Sequence, residues 1–150
     1  MDPLGALLSD PGRAGVYHLT REPWQVAACA AAADLACFRI DIGHAHDKSD
    51  FIDHVAKAMG FPHWFGRNWD ALADCLKDLS WLPGKGWVLV LEKSKHFGAG
   101  HGHEFEEAMD LMSEIADYWR PQDRPFWTLI GGPDGWNPGF PPMPADSIDA

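Results

Sequence analysis

Hydrophobic positions recur along this chain with two different periods, and the switches between them mark its elements. Cys37-Phe38-Arg39-Ile40-Asp41-Ile42 alternates apolar with polar, the pattern of a half-buried strand. Trp87-Val88-Leu89-Val90-Leu91 and Phe126-Trp127-Thr128-Leu129-Ile130 are almost unbroken apolar runs, which suits strands covered on both faces. Helical spacing lies between them. Phe51, Ile52, Val55, Ala56 and Met59 follow Ser49 and stop at Gly60 and Pro62. Trp69, Leu72, Leu76 and Leu79 form the stripe of a second helix, opened by Asn68. Phe105, Ala108, Met109, Met112, Ile115 and Ala116 place a longer helix over about Glu104 to Trp119, ended by Pro121 and Pro125. Upstream, Pro23 leads the alanine-rich run Trp24 to Leu35, a further helix, and Val16 to Leu19 reads as one short strand.

Strands separated by helices need crossover connections. The expectation is therefore an α/β fold, with a small three-stranded parallel sheet packed with helices. That core takes residues 37-132. Residues 1-36 form an N-terminal extension, expected to pack on the core, and residues 133-150 a Gly/Pro-rich tail on the surface or disordered. Lys95 to His103, rich in glycine and histidine, reads as a loop.

Composition narrows the function classes. A net charge of −10 argues against nucleic acid as a direct partner and favours attraction to a cationic one. No basic n-region opens the chain, and the most apolar run, Val26 to Phe38, is interrupted by Asp34 and too short to span a bilayer. Cys29, Cys37 and Cys75 fit neither a disulfide nor a zinc framework, so structural thiols in a reducing cytoplasm are expected. No nucleophile-elbow, Walker or dinucleotide-binding fingerprint appears, and an enzyme is not expected.

The most informative segment is Phe61 to Leu79. An aromatic loop, Trp64-Phe65-Gly66, turns into the helix opened by Asn68, which carries Asp70 and Asp74. Residues four apart on a helix share a face, so the two carboxylates repel by about 0.2–0.5 kcal/mol. Such a face, beside a loop tryptophan, suits presentation to a basic partner. The alternatives are an ordinary solvated face for Asp70 and Asp74 and core packing for Trp69. The His44/His46 and His101/His103 pairs are His-x-His arrangements that could bind zinc or nickel. Without a third ligand at a diagnostic spacing they read as solvated loop histidines, and neither metal nor cofactor is expected.

The run Phe61-Pro62-His63-Trp64-Phe65-Gly66-Arg67-Asn68-Trp69-Asp70-Ala71-Leu72-Ala73-Asp74-Cys75-Leu76 resembles the barstar family of intracellular inhibitors of barnase-type ribonucleases. The preceding amphipathic helix and the Val88 to Glu92 strand extend the resemblance over about two thirds of the chain. It implies that loop and helix plug a ribonuclease active site. Asp74 would stand in for the substrate phosphate, Asp70 would pair with a neighbouring cation, and Trp64 would pack on the enzyme's histidine. Gly66 and Asn68 would shape the loop, with Phe65 and Trp69 at or under the contact. A further acidic contact would fall at Asp117. Three positions depart from the pattern: Ala73 replaces an aromatic, Lys77 a small polar residue and Arg67 an acidic one. Ala73 and Lys77 still belong to the expected contact surface, tuned to its own partner. The competing expectation is a non-inhibitory interaction or regulatory module on the same fold.

Overall fold

The computed structural model describes residues 2–62 and 66–146. Three of its strands, β2 (Ala36–Asp41), β3 (Trp87–Glu92) and β4 (Phe126–Ile130), run parallel with β3 between the other two. The apolar runs alternate faces despite being unbroken. Trp87, Leu89, Leu91, Phe126 and Ile130 point into one buried cluster, and Val88, Val90, Trp127 and Leu129 into another. A strand with a core on each side has no polar face, which is why these runs carry no period-two signal.

The first cluster is closed by α3 (Lys48–Met59), α4 (Trp69–Leu76), α5 (Lys95–Gly100) and α6 (Gly102–Trp119). The second is closed by α1 (Pro3–Leu8) and α2 (Pro23–Ala32), through Leu4, Leu7, Leu8, Val26 and Ala30. Among the described residues no helix is long and apolar enough to cross a membrane.

The sheet has four strands, not three. β1 (Val16–His18) pairs parallel with β4, Tyr17 opposite Leu129, and the order is β1-β4-β3-β2. The first residues of the chain are thus part of the sheet as well as a cover for it. Trp127 Nε1 donates to the Leu8 carbonyl (2.8 Å), and Arg120 donates to the carbonyls of Pro11 and Ala14 (3.2 and 2.9 Å), tying this segment down.

Two other expectations change. Lys95 to Gly100 is a short helix and not a loop, with Phe97 buried and stacked on Phe51 at 5.3 Å. Pro141 to Met143 run beside β1: His18 N–H donates to Pro141 O (2.7 Å), and Met143 N–H donates to His18 O (3.2 Å). Met143 is buried in the second cluster, so this part of the tail belongs to the core.

Candidate functional site

Helix α4 is built as an outward-facing plate. Asn68 caps its start, its side-chain oxygen accepting from Ala71 N–H at 2.8 Å, and its Nδ2 donates to Gly66 O at 3.4 Å. The cap satisfies one of the free amides of the first turn and ties the incoming loop to the helix. Leu72, Cys75 and Leu76 face the core, and Leu79 is buried just beyond. The C-terminal end is fixed by Trp119 of α6, whose buried Nε1 donates to Leu76 O at 2.8 Å. Burial, and after it the carboxylates of Asp78 and Asp74, push the Cys75 thiol up, so it is a poor nucleophile.

With that face anchored, Asp70 and Asp74 are exposed on the other. Neither has a hydrogen bond or ion pair among the described residues. A third exposed carboxylate, Asp78, continues the four-residue spacing just past the helix, with one oxygen taken by Ser80. The same spacing would have found it in the sequence. Ala73 is half-buried and packs against the core.

Trp69 serves both sides. Its ring packs against Phe51 at 6.3 Å and stays half-exposed, with the Lys48 ammonium 5.9 Å from its centroid. Among the described residues its Nε1 is buried with no hydrogen-bond partner. Trp64 and Phe65 lie outside the described residues. The frame around them is defined on both sides. Gly60 ends α3 in a left-handed turn (φ 64°), Phe61 N–H donates to Ala56 O (2.9 Å), and the Phe61 ring meets Trp81 edge-on at 5.8 Å. On the far side, Gly66 is exposed and Arg67 is left-handed (φ 54°).

The cations that depart from the family pattern are both turned onto acidic neighbours. Arg67 lies 3.5 Å from Asp53 of α3. Lys77 lies 3.6 Å from Glu114 of α6, and its ammonium sits 5.6 Å from the Tyr118 ring. Such surface pairs add little stability. They do offset each cation locally and leave the acidic stripe of α4 dominant. Sequence spacing cannot show this, because each partner belongs to another helix. Asp117 is paired with Arg120 and is therefore less available than Asp70 or Asp74.

Fold and site together define a parallel α/β domain that displays an acidic helix capped at one end and tethered at the other. Residues 35–131 match the family described as Barstar (barnase inhibitor), and the chain belongs to that family. No curated protein matches it in sequence. Among solved structures, the Aeropyrum pernix ORC2 protein, in ADPNP-ADP complexes, is similar with a TM-score of 0.58 at 16% identity. The alignment covers 87% of this chain and 38% of that one, so the present chain spans well under half of that protein. At such identity the likeness concerns the fold alone.

Proposed function

We propose that the chain is an intracellular inhibitor of a basic ribonuclease or ribonuclease toxin, acting by occupying its active site. The observation that carries this is the pair Asp70 and Asp74, exposed and unpartnered among the described residues, on a helix capped at one end and tethered at the other. Asp74 would take the place of the substrate phosphate among the enzyme's Arg, Lys and His groups. Asp70 would meet a neighbouring cation. Carboxylate and guanidinium pair through short, charge-assisted bonds, often two at once. Trp64 would pack on the enzyme's histidine, with Phe65, Gly66, Asn68 and Trp69 shaping the contact and Ala73 and Lys77 at its edge.

Blocking of this kind needs no catalytic group, cofactor or metal on the inhibitor. The net charge of −10 would speed encounter with a basic enzyme. Asp74→Ala should weaken binding by several kcal/mol, the size already known for a charged anchor of the barnase–barstar interface. Calorimetric titration with the cognate ribonuclease tests it: an unchanged affinity for Asp74→Ala would remove the helix from the interface.

A further inference from the structure

His46 and His96 are far apart in sequence, and neither belongs to a recognisable ligand motif with the other. The fold brings them together. His46 lies in the turn between β2 and α3, and His96 in the first turn of α5. His46 Nδ1 stands 3.3 Å from His96 Nε2, with the rings nearly perpendicular (87°) and their centroids 5.3 Å apart. Two imidazole nitrogens bound tetrahedrally to one zinc ion, each at about 2.0–2.1 Å, lie about 3.3–3.4 Å apart. In the free protein these two nitrogens share a hydrogen bond whose donor depends on the tautomer, and the same span is that of two ligands on a shared ion, which would take the place of that proton.

Both backbones are held. Ala45 is buried and its N–H donates to Ile42 O (3.1 Å), while His46 N–H donates to Asp50 Oδ2 (3.0 Å). On the other side Phe97 is buried, and Gly98 N–H donates to Ser94 O at 2.8 Å. Ser94 is itself fixed by bonds to Gly131 O (2.9 Å) and Leu91 O (2.8 Å). Both rings are exposed to solvent, so an ion can reach them. Asp47 and Asp50 flank His46, and Lys48 directs its ammonium over Trp69. A third imidazole, His101, lies with its centroid 6.0 Å from that of His96.

We propose that His46 and His96 form an open two-histidine site for a first-row transition-metal dication of the zinc, nickel or copper(II) class, which neutral imidazole suits. Among the described residues no group of three or more His, Cys, Asp or Glu is placed to hold a metal. The remaining coordination positions therefore fall to water. Neither histidine belongs to the α4 face, and the test needs no ribonuclease.

Untagged protein is titrated with zinc chloride, and separately with nickel chloride, by calorimetry. Wild type should take up one ion per chain. His46→Ala and His96→Ala should each lower the affinity at least about tenfold, since losing even an outer-shell partner of a metal site costs about 10–100-fold. His44→Ala and His103→Ala, drawn from the same two histidine-rich segments, should bind as wild type does. Both substituted rings are exposed, and circular dichroism checks that each variant keeps its fold. Absence of saturable binding overturns the site, as does equal affinity in the wild type and in the His46→Ala and His96→Ala variants.

Discussion

Replacing Asp74 with asparagine separates binding from folding, because in the free protein the carboxylate is a burden. It lies in the last turn of α4, where the helix dipole disfavours a negative charge by about 0.3–1 kcal/mol. Asp70 stands one turn before it, adding repulsion of about 0.2–0.5 kcal/mol. Nothing among the described residues compensates: Asp74 has no ion pair, and the nearby Lys77 is turned to Glu114. Asparagine keeps the shape and has a similar helix propensity. Asp74→Asn should therefore stabilise the free protein by about 0.5–1.5 kcal/mol at low salt, raising its Tm by about 1–6 °C for a domain of this size. Asp70→Asn should be close to neutral, because Asp70 sits in the first turn, where its charge is favoured. Urea and thermal unfolding at low and high salt measure this, and the gain should shrink as salt screens the charges. A loss of about 1 kcal/mol or more in Asp74→Asn would show that the carboxylate supports the fold, refuting the reading of α4 as a helix bearing a charge for use elsewhere.

Further outcomes follow from the same contacts. Trp119→Phe removes the buried donor to Leu76 O and should cost about 1–3 kcal/mol in denaturant unfolding, while loosening the end of α4. Deleting residues 141–150 strips both hydrogen bonds from His18 and uncovers the site of Met143, and should cost at least about 1.5–3 kcal/mol by the same assay. Burial holds the Cys37 thiol at about 11 against an ordinary value of 9.0, so the unfolded chain releases this proton at lower pH than the folded one. Stability from this group is full below pH 9 and is lost as pH rises toward about 11; Cys37→Ala should show a shallower alkaline fall in stability over that window. Adding salt should slow association with a basic ribonuclease in stopped-flow measurements and change dissociation much less.

Where a pattern reports its own neighbourhood, it could be read from the sequence. β4 has the expected limits, Phe126–Ile130, because a doubly covered apolar run ends where its cover ends. α4 begins after Asn68 because the cap is a local hydrogen bond. Distant partners left no such mark. β1 is three residues long with no alternation in burial, and its partner β4 lies more than a hundred residues away, so its place in the sheet was not legible. α1 did carry a signal, Asp2 before Pro3, with Asp2 accepting from Gly5 N–H at 3.0 Å. α5 is hidden by its glycines and is held by the burial of Phe97 against Phe51. In the site, Asp70 and Asp74 were visible as spacing. The turning of Arg67 onto Asp53 and of Lys77 onto Glu114 depends on helix packing that no local pattern encodes.

Inhibition itself is measured by titrating ribonuclease activity with this protein, using the basic ribonuclease of the same cell and a fluorogenic RNA substrate. Activity should fall linearly to near zero at one inhibitor per enzyme, and Asp74→Ala should shift the curve to far higher concentration. Full activity in the presence of excess, folded wild-type protein would mean that the acidic helix does not block this enzyme, and the proposed function would fall with it.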